Sequence, residues 1–117
     1  MKKYSWSLLL LAVTCTFSFC NTAKKATATP TATVFYDTDV KALIETKCTP
    51  CHLPSKGGNK ASLENYDAVK NEIDDMIRRV ELNPGDRGFM PFKHAKLSEA
   101  EINILKTWKA EGLTKSK

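Results

Sequence analysis

Apolar positions along the chain fall into three runs with helical spacing. Val40, Leu43 and Ile44 make one stripe, which predicts a first helix over about Asp37 to Lys47. Asp37 is placed to cap that helix, and Asp39 suits its positive N-terminal end. Pro50 removes a backbone donor and pushes Thr49 out of helical geometry, so the helix stops before them. Tyr66, Val69, Ile73, Met76, Ile77 and Val80 recur at steps of three and four, predicting a second helix over Tyr66 to Leu82 with Asn65 or Ser62 as its cap. Asn83-Pro84-Gly85-Asp86 then reads as a turn, with Pro at its second position and Gly supplying the positive φ of its third. Ser98 and Glu101 form a capping box, Leu97 and Ile102 a hydrophobic staple, and Ile102, Leu105 and Trp108 the stripe of a third helix that Gly112 ends. No strand can be read, so the expected fold class is all-α, with about three main helices. The loop between the second and third helices carries Phe89, Met90 and Phe92, and apolar residues in a loop need something to pack against.

The pattern changes ahead of the first helix. Met1-Lys2-Lys3 precedes a mostly apolar run from Tyr4 to Cys20, the mark of an export signal over residues 1–20. That run is short for a membrane span. Residues 21–33 are rich in Thr and Ala and lack any large apolar side chain, so they read as a flexible linker. The folding part is then residues 34–117, on the order of 80 residues, near the size where a core alone leaves little margin.

Charge excludes one class of partner. The whole chain has 18 basic and 13 acidic residues, a net +5, but Lys2, Lys3, Lys24 and Lys25 precede position 34. The remaining 14 basic against 13 acidic residues leave +1, which is no polybasic footprint for nucleic acid.

Of the four cysteines, Cys15 and Cys20 lie in the signal, while Cys48 and Cys51 belong to Cys48-Thr49-Pro50-Cys51-His52. This C-x-x-C-H run is the attachment signature of a c-type heme. Two cysteines three positions apart lie on one side of a tight turn, so both sulfurs reach the two vinyl groups of one porphyrin edge. His52 then brings an imidazole nitrogen under the iron. Three rival readings use the same residues: a structural disulfide, a zinc site made by Cys48, Cys51, His52 and His94, and a thioredoxin-like thiol pair, which needs a strand-helix context not seen here.

The second axial ligand is expected to be Met90, 38 positions beyond His52 and set between Phe89 and Pro91. A thioether favours ferrous iron and a raised potential, as electron transfer requires. Phe89 and Phe92 are the side chains expected to keep that pocket dry. His94 is the runner-up ligand, and core filling is the plain alternative role for Met90. Met76, on a helical stripe, is expected in the core.

A helix leading into Cys48-x-x-Cys51-His52, a later Met90-Pro91 loop and a C-terminal amphipathic helix together resemble the class I cytochrome c family. The likeness spans Asp37 to Gly112, and the stretches from Tyr66 to Gly85 and Gly88-Phe89-Met90-Pro91 are similar to small monoheme cytochromes of the Bacteroidota kind. The resemblance implies an all-helical fold around one covalent heme. It also implies first and last helices crossing near a right angle, with Leu43 or Ile44 near Leu105 or Trp108. The implied function is a single-electron carrier working with redox protein partners, not an enzyme. The alternative is a heme enzyme or small-gas binder with a displaceable sixth ligand. Lys47, Lys56, Lys60, Lys93 and Lys96 flank the expected heme segments, either to steer an acidic partner or for plain solubility.

Cys20 ends the apolar run directly before the linker, where lipoproteins carry their lipidated cysteine. The large Phe19 departs from the small residue usual before it, and cleavage after Ser18-Phe19-Cys20 is the competing reading. The expected location is periplasmic, as a monomer, either soluble or tethered to the membrane through Cys20.

Overall fold

The computed structural model describes residues 33–117. The expected signal, Cys15, Cys20 and the linker as far as position 32 lie outside the described residues. Among the described residues the structure is all-helical, without strands. A π-helical turn, Tyr36–Val40, runs into α1 (Lys41–Lys47); a 3-10 turn follows at Pro54–Lys56, then α2 (Tyr66–Glu81) and α3 (Glu99–Ala110). No helix among the described residues is long and apolar enough to cross a membrane.

The helix ends follow local chemistry, with one correction. Asp37 does not cap the first helix. The chain turns inward one residue earlier, and Asp39 folds its Oδ2 back to accept the N–H of Phe35 at 3.0 Å. Asn65 Oδ1 accepts from the Ala68 N–H at 3.0 Å and caps α2. Asp86 N–H donates to the Asn83 carbonyl at 3.0 Å, and Gly85 at φ +101° completes that turn. Ser98 and Glu101 make the reciprocal capping box of α3.

The stripes meet in one core. Val40, Val69, Leu105 and Trp108 are its most fully buried large side chains, and Leu43, Ile44, Ile73, Val80, Leu97 and Ile102 join them. Tyr36, Tyr66 and Trp108 pack ring to ring, with centroids 5.4 to 6.1 Å apart. The first helix meets α3 chiefly through the Tyr36–Val40 turn. Behind α3 the tail folds back over that turn: Tyr36 N–H donates to Thr114 O and Asp37 N–H to Lys115 O, both at 3.0 Å. Trp108 Nε1 and Tyr66 Oη also donate to this tail, at Thr114 O and Leu113 O. At the other end Lys47 Nζ pairs with Glu101 at 2.8 Å.

Candidate functional site

Beyond Tyr36 and Trp108 the helices part, and the space between them is a largely apolar cavity of about 510 Å³. That volume lies in the range of small-molecule and cofactor sites, roughly 300–1,000 Å³. Leu43 and Ile44 of α1, Met76 and Val80 of α2, and Leu97 and Leu105 at α3 form its apolar walls. Leu43 and Ile44 therefore share a cavity with Leu105, while Trp108 lies behind it in the aromatic cluster. Cys48, Cys51, His52, Met90 and His94 all reach the same cavity.

The turn after α1 is held by backbone bonds that hydrophobic patterning does not reveal. His52 N–H closes onto Cys48 O at 3.1 Å, so both cysteines and the histidine belong to one turn. The segment from Gly58 to Leu63 then clasps it. Gly58 N–H donates to Leu53 O, Lys60 N–H to Cys51 O and Leu63 N–H to His52 O, at 2.9 to 3.0 Å. The approach is so close that a Cβ on Gly58 would stand 2.2 Å from Pro50 O and 2.6 Å from Cys51 O.

The clasp also sets the state of His52. Its Nδ1 lies 2.7 Å from the carbonyl oxygen of Ala61. A carbonyl only accepts, so Nδ1 carries a proton here, which in the neutral ring leaves the lone pair on Nε2, the nitrogen a metal-binding imidazole would use. Ala61 gave no sign of this role in the sequence, because it acts through its backbone.

Cys48 and Cys51 are free thiols. Burial pushes the Cys48 thiol up to about 11, so it stands neutral. Thiol redox chemistry calls for the opposite shift. The zinc reading also fails on geometry: among the described residues no three His, Cys, Asp or Glu side chains converge as a metal site. Two axial ligands, one of them a thioether, need no such convergence.

Met90 is half-buried, packs against the core and is tied to α2 by its N–H, which donates to Arg79 O at 3.2 Å. His94 is exposed. Of the two flanking phenylalanines only Phe89 is buried. Phe92 lines the cavity although it is 66 % exposed, with its ring under Lys93 Nζ at 5.2 Å, whereas the buried Phe89 is not part of the cavity lining, so only Phe92 of the two expected side chains stands at the pocket. The lysines also divide. Lys47 is paired with Glu101, and Lys96 Nζ donates to Glu81 O at 2.9 Å, whereas Lys56, Lys60 and Lys93 form no ion pair among the described residues. Glu72, Asp75 and Arg79 of α2 add a charged portion to the cavity wall, a feature the helical stripe did not reveal.

Two thiols, an imidazole with Nε2 available and a thioether on one apolar cavity form a donor set that fits a covalently attached heme. No family model, curated protein or solved structure matches this chain.

Proposed function

We propose that this chain is a single-electron carrier of the cell envelope, holding one heme c through Cys48 and Cys51 with His52 and Met90 as axial ligands. The observation that carries this reading is that one apolar cavity is lined by both halves of the constellation, Cys48, Cys51 and His52 from one segment and Met90 from another. The finer fold proposed with it is a class I cytochrome c-like arrangement, with which the all-helical architecture is compatible.

When bound, the heme supplies a reversible ferric–ferrous couple. The chain's own residues do the rest. Cys48 and Cys51 would hold the ring. His52, oriented by the Ala61 carbonyl, offers Nε2. The soft Met90 sulfur would favour the reduced state, and the apolar walls would limit the access of water. Partners are redox proteins of the envelope, with Lys56, Lys60 and Lys93 available to meet an acidic surface. The location proposed is periplasmic, with Cys20 as a lipid tether.

The second reading, a heme enzyme or gas binder, draws on His94 and Arg79, which line the same cavity. Arg79 is committed to Asp75 and His94 is solvated, which favours the carrier.

Expression with heme-attachment machinery should give an intact mass of chain plus one heme that survives acid-acetone extraction. The oxidised protein should show the weak near-infrared sulfur-to-iron band. Met90→Ala should abolish that band, lower the potential and admit cyanide, while His94→Ala changes little. A mass equal to the bare chain overturns the reading, and ready cyanide binding by the wild type at neutral pH favours the enzyme.

A further inference from the structure

The loop that carries Met90 is anchored at two points, and both belong to one residue. Arg79 accepts the Met90 N–H on its backbone carbonyl, and its Nη1 donates to the carbonyl of Gly88 at 3.5 Å. The two bonds bracket the buried Phe89. Gly88 makes room for this: a Cβ there would stand 3.3 Å from Arg79 Nη1, at a backbone φ of +95°. The guanidinium is in turn fixed, because Nε donates to Asp75 Oδ2 one helical turn back. Both Asp75 and Arg79 line the cavity. Arg78 pairs with the same carboxylate, yet it is not among the cavity-lining residues and makes no bond to the loop among the described residues.

We infer that Arg79, oriented by Asp75, is the positioning residue for Met90, holding the Gly88–Met90 segment so that the thioether stays on the cavity. As a ligand-holding device this rests on the proposed ligation by Met90. The fork geometry is what the role needs: one N–H is taken by Asp75 while a second reaches Gly88, and the backbone carbonyl between them serves Met90. A lysine carries the charge but has no second donor in that fixed relation. Arg78 provides an internal comparison, sharing the carboxylate and the charge but not the loop.

The test compares holoprotein variants Arg79→Gln, Arg79→Lys and Arg78→Gln with the wild type, each first checked for helical content. Hydrogen bonds to charged groups are strong enough that their loss should weaken retention of the ligand by about tenfold. Arg79→Gln is therefore expected to bind added imidazole about tenfold more tightly and to lose the sulfur-to-iron band at a lower pH shift than wild type. Arg79→Lys should behave like Arg79→Gln, and Arg78→Gln like the wild type. Hydrogen exchange at the Met90 amide reads the same latch without reference to the iron, and should speed up about tenfold in Arg79→Gln and Arg79→Lys but not in Arg78→Gln. Equal exchange in wild type and Arg79→Gln, or equal effects of Arg78→Gln and Arg79→Gln, would overturn the inference. A wild type lacking the sulfur-to-iron band would instead count against Met90 as ligand, and the amide exchange would still decide whether Arg79 holds the loop.

Discussion

Glu101 serves two elements at once. Its Oε2 accepts the Ser98 N–H at 2.8 Å and the Ser98 hydroxyl at 2.9 Å, while Oε1 meets Lys47 Nζ at 2.8 Å. The Lys47 ammonium first, and the two Ser98 donors after it, hold its carboxyl down to about 2, against an ordinary 4.5. A depressed folded value means that its contribution is complete above pH 4.5 and is lost as the pH falls toward about 2. Glu101→Gln keeps an acceptor for the cap but removes the charge. Denaturant titrations across that window should find the wild type losing stability more steeply than Glu101→Gln, and parallel curves would show that the pairing adds nothing. Because Lys47 also lines the cavity, this one carboxylate fixes a cation of its rim.

At the scale of elements, the segment from Gly58 to Leu63 matters as much as any helix. Gly58→Ala puts a methyl group against two backbone carbonyls that cannot swing aside. The expected cost is about 1–3 kcal/mol, the usual range for overpacking. Since the strain falls on the Cys48–His52 turn, the unfolding midpoint should fall, and with it the ratio of the proposed heme to protein after expression. A variant with the wild-type ratio and midpoint would show that the clasp can relax. This segment also marks the limit of what was legible in the sequence. The three helices could be read because stripes and caps are made by side chains: Asn65 at α2, and Ser98 with Glu101 at α3, stand where the spacing puts them. The clasp and the returning tail are built from backbone bonds that any residue can make, so Ala61 and Thr114 carried no sign of their partners. The start of the first helix went astray for a related reason. Asp37 is a good cap on paper, but the helix begins at Tyr36, whose ring packs against Tyr66 and Trp108, so the capping position falls to Phe35. Phe89 and Phe92 were both expected at the pocket because they are aromatic and flank Met90, but Phe89 is buried away from the cavity and only Phe92, largely exposed, lines it.

For the molecule as a whole, the cavity is large relative to the core that surrounds it. Residual cavities cost about 24 cal/mol per Å³, so walls around 510 Å³ left without an occupant would forgo on the order of 10 kcal/mol, an upper bound because the mouth is open to water. A domain of this size has roughly 5–15 kcal/mol to lose. The double variant Cys48→Ser, Cys51→Ser should therefore melt without a cooperative transition, as followed by circular dichroism; a sharp transition near the wild-type midpoint would show that the helices stand by themselves. The strap of Tyr36 and Asp37 on Thr114 and Lys115 has a consequence of another kind. It secures the beginning of the domain beside its end, at the aromatic cluster, whereas the cavity borders the far half of the first helix and the opposite part of α3. Whatever joins the domain ahead of position 33 therefore meets it at the aromatic end, which leaves the cavity to face the other way.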